Sequence, residues 1–193
     1  MAFQDMNKML AFSIVNSNLT EIESIIQNGL NWLYEPQKSR KLIEEIHLNI
    51  QKGGYFPPVG AFYYSCVNDN KLIFVSNLSD GWDSLLYCIT EANHSSYLSF
   101  RILSGAYPLI EMSFTDSGET VRLVRAMKED KWLFYEKGDL LWFEDKEQYN
   151  KKRIRDRVTY DLLLSYSKKN DIDFSSSNFF KTKKESLWVY TIR

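Results

Sequence analysis

Apolar positions recur along the chain with two different periods, and the change of period divides it. In NLTEIESIIQNGLNWL (residues 18–33), Ile22, Ile25, Ile26 and Leu33 lie at helical spacing, Thr20 is placed to cap the first turn and Gly29 to end the last. SRKLIEEIHLNIQKGG (39–54) sets Leu42, Ile43, Ile46 and Ile50 on a second stripe, which Gly53 and Gly54 stop. Residues 1–54 therefore read as a helical N-terminal portion. After YFPPVG the period falls to two. AFYYSCV and KLIFVSN flank the turn NDN and predict a hairpin, and SYLSFRIL alternates as a strand. YPLIEMSFTDSGETVRLVRAM predicts a second hairpin about Asp116, Ser117 and Gly118, and KWLFYEKGDLLWFE two more short strands about Lys137, Gly138 and Asp139.

One helix interrupts this meander: in SDGWDSLLYCITEAN, Trp82, Leu85, Leu86 and Ile89 share a narrow arc that should face the sheet. A long helix from about Asp145 to Lys168 carries Ile154, Val158, Leu162 and Tyr166 at every fourth position, and SLWVYTI closes the chain as a strand for the sheet edge. The expected fold is one α+β domain over 1–193: N-terminal helices, then over 55–193 a mostly antiparallel meander with one inserted helix, a long C-terminal helix and a final strand. The segment AFSIVNSNLTEIESIIQNGLNW also resembles the second half of an ankyrin repeat, at Asn18, Glu21, Ile25, Ile26 and Gly29. It lacks the opening turn of that repeat and has no second copy, and repeats need about three stacked units for a core, so it reads as an ordinary helix pair.

Composition narrows the class. The chain is 44% hydrophobic and 15% aromatic, which excludes intrinsic disorder, and 24 basic against 25 acidic residues leave no global field to draw in nucleic acid. No signal-peptide pattern opens the chain and no run approaches the 18 or so apolar residues of a membrane span, so a cytoplasmic location without a membrane partner is expected. Cys66 and Cys88 sit in apolar patterns and read as reduced core thiols.

Candidate chemistry is sparse. His47 and His94 lack metal-ligand or triad spacing, and NGLNW, KGGYF and LSGAY lack the spaced glycines and lysine of a phosphate loop, so no cofactor and no metal is expected. Asp80 and Asp83 in SDGWD invite a paired-carboxylate reading, but helix capping and the helix dipole explain them more simply. The basic run NKKRIRDRVTYD (150–161) reads as a solvated helix face with i, i+4 pairs. Arg155 is its exception, on the apolar stripe, while Arg153 and Arg157 remain candidates for partner contact. In KWLFYE, Trp132, Phe134 and Glu136 share one face and Leu133 and Tyr135 the other; both faces are apolar, and a strand covered on both sides is the expectation.

VRLVRAMKEDKWLFYEKGDLLWFEDKEQYNKKRIRDRVT, with SDGWDSLLYCI, resembles uncharacterised bacterial proteins found near secreted-toxin systems, some of which are taken to be immunity proteins. That resemblance spans roughly residues 60–165 and implies a stoichiometric inhibitor with a protein partner, such as a toxin. The aromatic surplus agrees with a contact surface, for which Tyr63, Trp82, Trp132, Tyr135 and Trp142 are the candidate anchors. An enzyme whose site is assembled from Asp80, Glu111, Arg101 and Tyr64 is the alternative.

Overall fold

The stretch MLAFSIV, ahead of the first predicted helix, is a strand, β1 (Met9–Val15), and it lies in the middle of the sheet. Its place follows from composition: apolar groups on both faces suit a strand covered on both sides. The computed structural model describes residues 9–44, 46 and 57–192. Among them the chain is a mixture of helix and strand dominated by one nine-stranded antiparallel sheet, with four α-helices. After β1 come α1 (Leu19–Gly29), β2 (Tyr34–Ser39), β3 (Val59–Tyr64), β4 (Leu72–Ser76), α2 (Asp83–Asn93), β5 (Ser96–Leu103), β6 (Leu109–Asp116), β7 (Glu119–Lys128) and β8 (Trp132–Lys137). The chain closes with α3 (Lys146–Tyr149), a 3-10 turn (Ile154–Asp156), α4 (Tyr160–Lys169) and β9 (Ser186–Thr191).

The spatial order is β2-β9-β3-β4-β1-β5-β6-β7-β8. The β5–β8 meander, the β3–β4 hairpin and the inserted helix α2 match expectation. Three expectations do not hold. The N-terminal portion is not purely helical, because β1 and β2 belong to the sheet; of the second predicted helix, Ser39 ends β2, residues 40–42 take no regular structure, residues 43, 44 and 46 are turn or helical, and 45 and 47–54, with His47, lie outside the described residues. The last strand does not sit at the edge: β9 pairs with both β2 and β3. The long C-terminal helix is broken into α3, the 3-10 turn and α4. Thr159 takes an extended conformation there and its hydroxyl accepts from the Leu162 N–H at 3.2 Å, so α4 has its own cap, and of the four spaced apolar positions only Leu162 and Tyr166 lie in an α-helix.

The two faces of the sheet are covered by different parts of the chain. On one, Ile22 and Ile26 of α1 and Leu85, Leu86 and Ile89 of α2, with Trp82, bury against Val15, Phe62, Phe74 and Tyr97. α1 begins at Asn18, whose side chain accepts from the Glu21 N–H at 3.0 Å, rather than at Thr20. On the other, Phe143, Tyr149, Val158, Leu163, Tyr166, Phe174 and Phe179 cover Leu10, Phe12, Ile73, Phe100 and Met112. Phe12 is the hub of that layer, stacked on Phe100 at 5.1 Å and edge-on to Phe179 at 5.0 Å. Residues 140–144, expected as a strand, instead cross this layer as an irregular segment.

Candidate functional site

The helical cover on the first face reaches β5, β6 and, through Tyr87 bonded to Thr120, the start of β7, and leaves β8 and the rest of β7 open. Register decides what is displayed there. Arg125 lies opposite both Glu111 and Tyr135, and Met127 opposite Leu109 and Leu133, so these side chains and Leu123 share the uncovered face. Trp132 and Phe134 point the other way and pack against the C-terminal layer. The strand is thus covered on one side only, which corrects the expectation of a strand covered on both. Tyr135 is 52% exposed and Val121 43%. Arg125, Met127, Leu133 and Tyr135 line a shallow depression of about 340 Å3.

At the inner margin of this open area lies a cluster of four charges. Glu111, 1% exposed, pairs with both Arg101 and Arg125, and Arg101 in turn reaches the Asp83 carboxylate at 3.0 Å. Alternation puts Arg101 and Glu111 on the α2 side of β5 and β6, where the first turn of α2 delivers Asp83. Burial pushes the Asp83 carboxyl up to about 6; the Arg101 guanidinium opposes the shift and Glu111 adds to it. Tyr97, beside them, is raised by burial well above the ordinary phenol range. Asp80 stays on its loop and accepts from the Trp82 N–H at 2.9 Å. Trp82 itself stands at the N-cap in the left-handed region with no side-chain cap, so the capping expected of Asp80 is replaced by a turn that Asp80 closes.

The other nominated residues are dispersed. Tyr63 and Trp82 are core, at 0% and 4% exposure, and are withdrawn as contact anchors; burial raises the Tyr63 hydroxyl well above its ordinary range. Trp132 is half-buried under the C-terminal layer. Trp142, 77% exposed, stands beside the buried Phe143 with ring centroids 5.5 Å apart, on the opposite side of the sheet from Tyr135. The basic run is no helix face: Arg153 is exposed and extended, and Arg157 lies 5.1 Å over the Phe134 ring while its Nε donates to the Lys151 carbonyl at 2.8 Å. Arg155 is on no apolar stripe; it is exposed, 3.7 Å from Asp156. Tyr64 lies under the Lys184 ammonium at 4.7 Å and does not join Arg101 and Glu111. Cys66 and Cys88 are free and half-buried rather than in the core. Among the described residues no group of three His, Cys, Asp or Glu could hold a metal ion, and no helix is long and apolar enough to cross a membrane.

Sequence reasoning proposed Arg101 with Glu111 but missed Asp83 and Arg125 as their partners. The signal lay in the strands, since charged residues at inward positions of SYLSFRIL, LIEMSFTD and ETVRLVRAM must pair when buried. No family model, no curated protein and no solved structure matches this chain.

Proposed function

We propose that this chain is a small cytosolic protein-binding protein that masks its target by contact, of the kind expected for an immunity protein that occludes a bacterial toxin. One observation carries the reading: the uncovered end of the sheet, where Tyr135, Leu133 and Met127 surround Arg125 on a framework of paired strands. Tyrosine and arginine are the residue types enriched where interfaces concentrate their binding energy, and a strand holds them with little conformational entropy left to lose. Arg125 is fixed by Glu111 from behind, so it meets a partner already oriented. The resemblance to proteins of toxin systems supplies the class of partner.

The test is co-expression with the product of the neighbouring gene. A one-to-one complex is expected from size-exclusion chromatography, and Leu133→Lys with Tyr135→Ala should abolish it without lowering the melting temperature. A complex unaffected by both changes would refute this surface, and no complex would refute the partner class.

A second reading, an enzyme of unassigned reaction, is favoured by the Asp83 carboxyl, which burial pushes up to about 6 beside a half-buried arginine and a buried glutamate. It requires that Asp83→Asn abolish a turnover while leaving complex formation intact.

A further inference from the structure

Charge on this molecule is mostly paired, as at Arg101, Arg122 and Arg125, or spread over the surface. At one place it is neither. Where the chain leaves β2 and where it approaches β9, five cations, Arg40, Lys41, Lys181, Lys183 and Lys184, surround a concavity of about 490 Å3, and among the described residues its lining carries one carboxylate, Glu44. Like charges held around a concave wall repel one another and focus a positive field into it, a cost that a bound anion removes.

Three of the cations, Lys41, Lys181 and Lys184, are held by neutral partners. The Lys181–Lys184 segment is fixed to the end of β3 by the Cys66 N–H donating to the Lys181 carbonyl at 2.8 Å and by the Ser65 hydroxyl donating to the Phe179 carbonyl at 2.7 Å. Lys184 lies over the Tyr64 ring and donates to the Asp69 carbonyl at 3.3 Å. Lys41 donates to the Tyr190 hydroxyl at 3.1 Å, with the Trp188 and Tyr190 rings about 5.4 and 5.5 Å from its ammonium. None of these partners is a carboxylate, so the positive charge is positioned without being neutralised. Among the described residues Arg40 has only an exposed contact with Glu185 at 3.6 Å, the kind of pair that contributes little. Lys183 is exposed and takes no acid or acceptor among the described residues.

We propose that this concavity is a binding site for a small phosphate-bearing anion. Its volume lies within the range of small-ligand sites, roughly 300–1,000 Å3, and a half-open concavity suits a compact polyanion better than a flat protein surface does. A second depression, lined by Tyr64, Asn68 and Asp69, adjoins it through Cys66, Lys183 and Lys184. That gives a ligand carrying a polar ring system a place beside its phosphates. The site lies at the β2–β3 end of the sheet, away from the β7–β8 face, and does not depend on the protein-binding reading.

The experiment is calorimetric titration of the full chain with inorganic pyrophosphate and with ATP, in parallel with Lys183→Glu, Lys181→Gln and, as a control in the other basic run, Lys152→Glu. Saturable one-to-one binding is expected. Losing a charge-assisted contact should weaken it by at least about tenfold in Lys183→Glu, while Lys152→Glu binds as the parent does. Equal affinity for both probes assigns recognition to the phosphates; tighter ATP binding assigns the adjoining depression to the base. Melting curves confirm that each variant is folded, and Lys181→Gln tests the same wall should Lys183→Glu not fold. Absence of saturable binding to either probe, equal weakening by Lys152→Glu, or binding of an oligonucleotide only would overturn the proposal.

Discussion

Arg122 and Glu144 form a bidentate ion pair beneath the C-terminal layer: Arg122 Nε lies 2.9 Å from one Glu144 carboxylate oxygen and Nη2 2.8 Å from the other. Arg122 is 2% exposed and the Glu144 side chain 0%. The rest of the guanidinium donates to the Lys137 and Gly138 carbonyls at 3.2 and 2.8 Å. Glu144 also accepts from the Tyr149 hydroxyl at 2.6 Å and the Leu141 N–H at 2.9 Å. One arginine on β7 thereby fixes both the β8 turn and the irregular segment that follows it. Glu144→Gln leaves the buried arginine only the half-exposed Glu136 carboxylate at 3.7 Å as counter-charge, which costs about 3 kcal/mol. Urea denaturation should show that loss, and Arg122→Met combined with Glu144→Leu should recover much of it.

Gly138 closes the turn after β8 with φ at +80°, and a Cβ there would be driven into the Val121 carbonyl oxygen. A backbone atom cannot swing aside as a side chain can. Gly138→Ala should therefore cost at least about 2 kcal/mol, measured by thermal or urea unfolding, with exchange protection lost first between β7 and β8.

Asp83 sets a pH dependence whose sign follows from its shift. Its carboxyl titrates near 6 in the folded chain against an ordinary 3.8, so between those values the native state holds more of a proton than the unfolded state does. Its contribution is fully present below about pH 4 and is lost as pH rises through 6, by at most about 3 kcal/mol. Denaturation at a series of pH values should show wild-type stability falling across that window relative to Asp83→Asn. Parallel curves would contradict the assignment.

Neighbouring aromatics should respond in opposite ways. Trp142 is 77% exposed and Phe143 4%. Trp142→Ala should change stability by less than about 0.5 kcal/mol, and Phe143→Ala should cost about 3–5 kcal/mol. Unfolding midpoints of the two variants decide it.

What the sequence determined by itself was local. The alternating strands between Ser96 and Lys128 need only neighbours along the chain to become a meander, the turn at Ser117 and Gly118 follows from residues that tolerate positive φ, and the arc of Leu85, Leu86 and Ile89 chose the buried side of α2. Tertiary structure alone decided which strands lie side by side, since pairing across a sheet joins residues far apart in the chain: β1 enters between β4 and β5, and β9 returns to lie between β2 and β3. Once that order is set, coverage follows from it. Helix α2 reaches no further than the start of β7, so Tyr135, indistinguishable in the sequence from a core aromatic, is left in the open, whereas Tyr63 is sealed between layers. The same order brings Asp83, Arg101, Glu111 and Arg125 together and gathers Arg40 with Lys183, because a charge cluster is a property of distance in space and the sequence records distance only along the chain.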